Sequence, residues 1–264
     1  MHRVADSILE IDSVERECVE VLGQVAAFCI ADVVGRRPDI FRLMAVPMIY
    51  SAWERAFRIS TAVAIRYLVE SKPSVAQLTP DQKALLLQKE SFFKSYSDKA
   101  IPTKGARGHR KSEFETLSNL LTELENWSQS KASLGTDAEE YVMTFSNVDH
   151  RVLRLHEKIL SAGPTIDKET GLQIDLSPLG ELLNRRNDIS HGGSIQPPGE
   201  KNLDDLFRFT ERLLTGYRDS MRAVVRKNSP APLASRRFRG AQPNRIRLTQ
   251  VRNATKVLRN QFSQ

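Results

Sequence analysis

A cluster of residues suited to phosphate chemistry lies in one short stretch of the chain. Its members are Arg186, Asn187, Ser190 and His191, which together supply guanidinium, amide, hydroxyl and imidazole groups. A guanidinium presents a planar fork of donors that matches phosphate oxygens, and an imidazole can accept and deliver protons near neutral pH. The pattern therefore indicates a site that could bind a phosphate and transfer protons around it.

This stretch is predicted to end a helix. The apolar positions before and within it recur at helical spacing: Leu179, Leu182, Leu183 and Ile189. Gly192 and Gly193 follow, and glycine tolerates the left-handed backbone that commonly ends a helix. Asn187 and His191 share one face at i,i+4, whereas Arg186 and His191 lie about 140° apart on an ideal helix. The last two converge only if the final turn unwinds or a substrate bridges them.

The motif Arg186-Asn187-x-x-x-His191 resembles the Arg-x4–6-His motif of the HEPN superfamily. These are helical proteins that include many metal-independent ribonucleases of prokaryotic toxin and defence systems. Residues 49–57 (IYSAWERAF) resemble the second helix of stand-alone bacterial HEPN proteins, and residues 146–149 (SNVD) resemble the lead-in to their motif. The resemblance extends over residues 8–225 and is weakest between 72 and 135.

The resemblance implies a metal-independent endoribonuclease, in which the RNA 2′-hydroxyl attacks the adjacent phosphate and leaves a 2′,3′-cyclic phosphate. This reaction needs a base, an acid and positive charge at the phosphorane. We assign proton transfer to His191 and phosphate binding to Arg186. Asn187 is expected to orient the imidazole or to bond the substrate, and Ser190 could serve either task weakly.

Each of these residues also has a purely structural interpretation. His191 can bond the last carbonyls of its helix, and Arg186 can pair with a carboxylate such as Asp188. In resembling proteins an acidic residue on the second helix can approach the motif, which makes Glu54 a supporting candidate. Its simplest alternative role is an i,i+4 ion pair with Arg58.

Three function classes follow from these interpretations. The first is the endoribonuclease, and the second is a non-catalytic HEPN module that binds RNA, a nucleotide or a protein partner. A third is a regulator that uses a basic tail. A homodimer is expected, because one protomer supplies one motif histidine, and because two motifs face each other in resembling proteins. An antitoxin or another defence-system protein is a further expected partner.

No metal or other cofactor is expected. His150 and His156 are six positions apart, which misses the i,i+4 spacing of one helical face, and no Cys or carboxylate set completes a zinc site. The histidines outside the motif are therefore predicted to lie at the surface: His2, His109, His150 and His156.

The chain's positive charge is concentrated at its C-terminal end. Residues 226–264 hold ten Lys or Arg and no acid, so the remainder carries 29 basic against 32 acidic residues. Such a segment favours contact with nucleic acid. The residues assigned to RNA binding there are Arg236, Arg237, Arg239, Arg245, Arg247, Arg252, Lys256 and Arg259. A short helix near 248–262 and a solvated, unfolded tail are both compatible with this composition.

The expected compartment is a reducing cytoplasm. The N-terminal residues lack the basic and then apolar run of a signal peptide, and no apolar stretch is long enough to span a membrane. Cys18 and Cys29 lie eleven apart in one apolar helical pattern and are expected to be free thiols.

The remaining elements are predicted to form an all-α, antiparallel helical bundle that positions the motif. Helical spacing predicts helices over residues 8–34, 38–70, 79–97, 112–127, 147–160, 176–191 and from about 202 onward. This HEPN-like domain is expected to cover residues 1–225, and the basic tail 226–264.

Two capping signals refine this prediction. Ser112 and Glu115 have capping-box spacing, as do Thr136 and Glu139, which precede a short element of unsettled type. The apolar residues after Ser112 are expected to face inward: Phe114, Leu117, Leu120, Leu121 and Leu124.

Overall fold

Seven α-helices account for most of the described structure. The computed structural model describes residues 4–30, 38–90, 109–145, 147–192 and 196–229. Within these ranges the helices are α1 Val4–Ile30, α2 Pro38–Glu70, α3 Pro80–Leu87, α4 His109–Gln129, α5 His150–Ile159, α6 Ser177–Ser190 and α7 Glu200–Lys227. The same ranges contain no β-strand, only an isolated bridge between residues 166 and 173. The all-α prediction is confirmed.

The three longest helices, α1, α2 and α7, form the core of the bundle. Ion pairs from Glu17 to Arg55 and from Glu15 to Arg218 fix α1 beside both α2 and α7. Further pairs along each interface show that α1 is antiparallel to both neighbours. Helices α2 and α7 therefore run parallel to each other. Helix α7 ends at Lys227, two residues beyond the predicted domain boundary.

Aromatic side chains fill the centre of this core. The Trp53 and Phe57 rings on α2 pack against Tyr217 on α7, with ring centroids 5.5 and 5.3 Å from that of Tyr217. All three side chains are fully buried, and each large apolar side chain removed from water stabilises the fold by roughly 1.5–3 kcal/mol. α2 is the helix whose predicted limits, 38 and 70, agree with the structure. Helix α2 also supports the segments that reach the motif.

Helix α3 starts where its capping signals predict and ends earlier. Thr79 accepts a hydrogen bond from the Gln82 backbone, and the Gln82 side chain accepts one from the Thr79 backbone, a capping box with Pro80 in the first turn. The helix ends at Leu87, whereas apolar spacing predicted continuation to 97. Residues 91–108 lie outside the described ranges.

Helix α4 differs from its prediction in both its start and its orientation. It begins at His109, so Ser112 lies inside the helix and not at its cap. Its apolar stripe was predicted to face inward; Leu120 is buried as predicted, but Phe114, Leu117 and Leu121 are exposed. Within the described residues α4 packs mainly against the short 3-10 turn Val75–Gln77. Helical spacing showed that one face is apolar, but it could not show whether another element covers that face.

The short element of unsettled type is a 3-10 turn, Ala138–Tyr141. Its cap is Asp137, whose carboxylate accepts from the backbone N–H of Glu139, so the predicted Thr136 capping box is wrong. The turn lies against α2, where Arg58 pairs with Glu139 at 3.0 Å. It leads directly into the segment that meets the motif helix.

The part of the chain that the structure describes contains no helix both long and apolar enough to cross a membrane.

A close approach of α7 to the loop after α5 makes Gly216 sensitive to substitution. A Cβ at Gly216 would lie 2.5 Å from the carbonyl oxygen of Ile166 and 2.9 Å from Thr165 Cγ2. We predict that Gly216→Ala lowers the free energy of unfolding by about 1–3 kcal/mol through overpacking, as measured by denaturant unfolding. The matched control is Gly23→Ala in α1, where no atom lies within 4 Å; it should stabilise by about 0.5–1 kcal/mol. Equal stability of the two variants would contradict this account.

Candidate active site around Arg186 and His191

The motif lies at the C-terminal end of α6, as its apolar spacing predicted. Leu179 and Leu182 are fully buried and fix the helix against the bundle. The helix remains wound to its end, since the N–H of His191 donates to the carbonyl of Asn187 at 3.0 Å. Gly192 then adopts φ +71°, the left-handed conformation that ends a helix.

Arg186 is held by three neutral groups. Its Nη1 donates to Asn147 Oδ1 at 3.2 Å and to Asn187 Oδ1 at 2.9 Å. Its guanidinium carbon lies 5.0 Å from the centre of the Tyr50 ring, a cation–π contact. The alternative ion pair with a carboxylate such as Asp188 is absent, and among the described residues no carboxylate pairs with Arg186 and no group bonds its Nε or Nη2. The partly buried guanidinium therefore keeps its charge and one donor edge available.

Asn147 reaches Arg186 because the segment that carries it is anchored to α2. The N–H of Val148 donates to Tyr50 Oη at 2.7 Å, and Trp53 Nε1 donates to the carbonyl of Val148 at 3.3 Å. Tyr50 thus supports both the Val148 backbone and, through its ring, the arginine. Tyr50 and Asn147 lie in the stretches that resemble HEPN proteins, but the sequence analysis assigned neither residue to the site.

His156 provides a second anchor for the same segment. Its ring is 0% exposed, packs edge-on against Phe57, and accepts a hydrogen bond at Nε2 from the Met143 backbone at 3.2 Å. Nδ1 must then carry the proton, which it donates to the carbonyl of Val152 at 3.0 Å. Burial lowers the pKa of His156 and favours this neutral form. The surface prediction for His156 is therefore wrong. His156 lies four residues after Val152, on the same apolar face of α5, and this spacing was the sequence signal for its burial.

His191 is the residue that caps the C-terminal end of α6. Its side chain is exposed, and within the described ranges no hydrogen bond or ion pair involves the ring. The alternative in which the ring bonds the last helical carbonyls is thus not found. Because α6 stays wound, the separation of about 140° between Arg186 and His191 persists, and one protomer does not bring the two together.

The supporting candidates take different positions. Asn187 bonds Arg186, and no hydrogen bond joins its side chain to His191 within the described residues. Ser190 Oγ donates to the carbonyl of Arg186 at 2.9 Å, so its proton is committed to the helix backbone. Glu54 does not pair with Arg58. The pKa of Tyr50 is raised, first by burial and then by the Glu54 carboxylate, against the hydrogen bond from Val148. Within the described residues no hydrogen bond or ion pair joins Glu54 to a motif residue.

The side of α6 opposite Arg186 borders a shallow depression of about 670 Å³. Its lining includes Glu181, Arg185 and Asp188, and Arg185 pairs with Glu181 at 3.0 Å. Arg185 is thus the neutralised neighbour of Arg186. This side carries none of the motif residues Arg186, Asn187 or His191.

Other expected features are partly covered by the described ranges. No group of three or more His, Cys, Asp or Glu side chains in those ranges is placed to hold a metal ion. Cys18 and Cys29 are free thiols, and burial raises the pKa of Cys18 to about 11. His150 is exposed, as expected. His2, the side chain of His109, Gly193 and the tail residues assigned to RNA binding lie outside the described residues.

Comparison with protein families matches residues 24–222 to the family described as RiboL-PSP-HEPN. The chain belongs to this family. Membership places it in the HEPN superfamily, so the resemblance inferred from the motif is confirmed. The matched range includes Tyr50, Asn147, Arg186 and His191, the residues of the candidate site described above. No curated protein and no solved structure matches the chain.

The buried His156 beneath this HEPN site predicts acid sensitivity. Its folded pKa is lowered, so as pH falls below about 6.5 the unfolded chain binds a proton first and the free energy of unfolding decreases. We expect His156→Leu to be less stable at pH 7.5 by about 1–3 kcal/mol, because the Met143 N–H loses its acceptor, but to lose less further stability by pH 5.

Denaturant unfolding at the two pH values checks this expectation. The exposed His150 provides the control, since His150→Gln should retain the parent's stability and pH dependence. The interpretation of His156 fails if His156→Leu and the parent lose the same stability between pH 7.5 and 5.

Proposed function

We propose that this HEPN protein is a metal-independent endoribonuclease that acts in the cytoplasm of a prokaryote, in a defence or toxin system. The observation that carries the proposal is the uncompensated guanidinium of Arg186, held by an aromatic ring and two amides, on the helix that ends at the exposed motif histidine. An arginine intended only for structure would gain more from a carboxylate. Neutral supports fix its position without cancelling the charge that attracts a phosphate.

The geometry of Arg186 suits a phosphodiester. Because Asn147 and Asn187 both occupy Nη1, the Nε and Nη2 edge can donate to two phosphate oxygens at once. Positive charge at that position stabilises the pentavalent phosphorane more than the ground state, since negative charge accumulates on its oxygens. Asn187 thereby serves as a positioning residue for Arg186.

The proposed reaction transfers a phosphoryl group within the RNA strand. A base removes the 2′-hydroxyl proton, the 2′ oxygen forms a bond to phosphorus, and the bond to the 5′ oxygen of the next nucleotide breaks. An acid then protonates that leaving oxygen, so the products are a 2′,3′-cyclic phosphate and a 5′-hydroxyl. Imidazole suits both proton transfers because it titrates near neutral pH. His191 is the residue that we assign to them.

A homodimer would complete the site. One protomer contributes one motif histidine, and that histidine is exposed on a different side of α6 from Arg186. A two-fold axis near the end of α6 would direct each His191 toward the partner's motif, so that His191 of one protomer and Arg186 of the other act on the same phosphate. The basic tail would add affinity for RNA, and an antitoxin or another defence-system protein would regulate access.

We predict that Arg186→Ala and His191→Ala each reduce RNA cleavage at least about 100-fold, because one removes charge at the phosphorane and the other the proton-transfer group. Matched controls are Arg185→Ala and His150→Ala, which remove an arginine paired on the opposite face and an exposed histidine outside the motif. Cleavage of labelled single-stranded RNA, with product ends identified, measures the effect. Activity should survive the chelator EDTA. Loss of activity in EDTA that added Mg²⁺ restores would overturn the metal-independent mechanism.

We also predict that the active species is a dimer with motif residues acting across the interface. Arg186→Ala and His191→Ala protomers, inactive alone, should regain partial activity when they are co-expressed, because a mixed dimer holds one intact arginine and one intact histidine on different chains. Light scattering would give the oligomeric state. An active monomer, or mixed dimers with no activity, would contradict the arrangement.

The alternative is a non-catalytic HEPN module that binds RNA, a nucleotide or a protein partner. The observation that favours it is the separation of Arg186 and His191 within one protomer, which leaves a phosphate-binding group without an adjacent imidazole. Binding that depends on Arg186, without cleavage by the dimer, would support this function instead.

A further inference from the structure

Phe145 is an exposed aromatic residue in the segment that carries Asn147. It is 69% exposed, although it follows the 3-10 turn that packs on α2. The N–H of Asn147 donates to the carbonyl of Thr144 at 2.8 Å, which closes a tight turn with Phe145 near its tip. An aromatic ring in this position contributes little to the core, so its placement calls for another explanation.

The backbone of Phe145 adopts a conformation that bulky residues rarely take. Its φ is +45°, in the left-handed region where a side chain beyond Cβ is sterically disfavoured. Ser161 also has a positive φ, but it closes helix α5 by a Schellman motif, with Ala162 bonded back to Glu157. Phe145 ends no helix. A disfavoured conformation that presents an aromatic ring to solvent is typical of a residue retained for binding.

The turn is held from both sides by buried groups. Before it, the Met143 N–H donates to His156; after it, the Val148 N–H donates to Tyr50 and the Val148 carbonyl accepts from Trp53. These hydrogen bonds anchor the backbone at Met143 and at Val148, on either side of Phe145, before any ligand arrives. A pre-organised aromatic surface loses less conformational entropy on binding than a mobile one.

Phe145 is also close to the phosphate-binding group. It precedes Asn147 by two residues, so their Cα atoms lie at most about 7 Å apart. Asn147 Oδ1 in turn accepts from Arg186 Nη1 at 3.2 Å. A nucleotide adjacent to a phosphate on Arg186 can thus extend its base toward the ring.

We propose that Phe145 is a stacking platform for an unpaired base next to the phosphate that Arg186 binds, an inference that rests on the proposed function. Stacking on an aromatic ring tolerates any base, because every base has a π-face. It requires that the base be free of a duplex, where both faces are already stacked. Phe145 therefore selects single-stranded RNA by structure and not by sequence.

The test measures affinity for a short labelled single-stranded RNA, with the full-length protein carrying His191→Ala to prevent cleavage. Phe145→Ala and Phe145→Leu should weaken binding roughly 5- to 150-fold, the loss associated with one stacked base. Phe145→Tyr and Phe145→Trp should bind like the parent. Leucine retains apolar surface but lacks a π-face, so its loss separates stacking from a general hydrophobic contact.

A series of RNAs that each lack one base locates the contact. Removing the base that stacks on Phe145 should weaken binding by the parent. For the RNA that lacks this base, and for no other RNA in the series, Phe145→Ala should cause no further loss of affinity. Phe114→Ala is the matched control: this ring is 73% exposed but lies on α4, and the variant should bind like the parent. Phe145→Gly, which suits the positive φ, should fold with unchanged or higher thermal stability yet lose affinity.

The outcomes separate this inference from the proposed function. If Arg186→Ala weakens RNA binding but Phe145→Leu does not, the platform is wrong while the proposed function stands. If neither variant changes binding, and Arg186→Ala with His191 intact also cleaves RNA at the parent rate, the proposed function itself fails. Dimer dissociation caused by Phe145→Ala in light scattering, without a base-specific loss, would assign the ring to a protein contact and overturn the proposal. Equal losses for Phe114→Ala and Phe145→Ala would also overturn it.

Discussion

The anchoring of Val148 to α2 is the interaction on which the candidate site depends. Tyr50 accepts from the Val148 N–H and Trp53 donates to its carbonyl, so both backbone polar groups of one buried residue are satisfied by aromatic side chains of the core. An aromatic residue with a polar tip can bury its ring and still direct a hydrogen bond. The stability of the core and the position of Asn147 beside Arg186 are therefore linked through one residue.

The environment of Arg186 differs from that of other arginines in the bundle. Arg58, Arg185 and Arg218 each lie beside a carboxylate, which neutralises them and fixes neighbouring elements. Arg186 instead has amides and the Tyr50 ring, which orient a guanidinium without neutralising it. Partial burial without a counter-charge is unfavourable unless hydrogen bonds and a ring offset it. The same arrangement underlies the proposed binding of a phosphate.

Local sequence determined much of this architecture. The apolar stripe of α2, the capping box at Thr79, and the end of α6 at Gly192 all follow from residue types and spacing within a few positions. The separation of Arg186 and His191 around α6 follows in the same way, because a regular helix assigns each position a direction. These features need no knowledge of distant residues.

Only the tertiary structure decided what these helices meet. Periodicity identified an apolar face on α4, yet the structure leaves Phe114 on that face exposed. The sequence analysis predicted His156 at the surface, yet its ring is buried against Phe57 because α5 packs that side onto α2. Arg186 could have paired with a nearby carboxylate, but it bonds Asn147, far away along the chain. Sequence spacing determines the direction in which a side chain points from its own helix; the packing of separate helices determines what that side chain contacts.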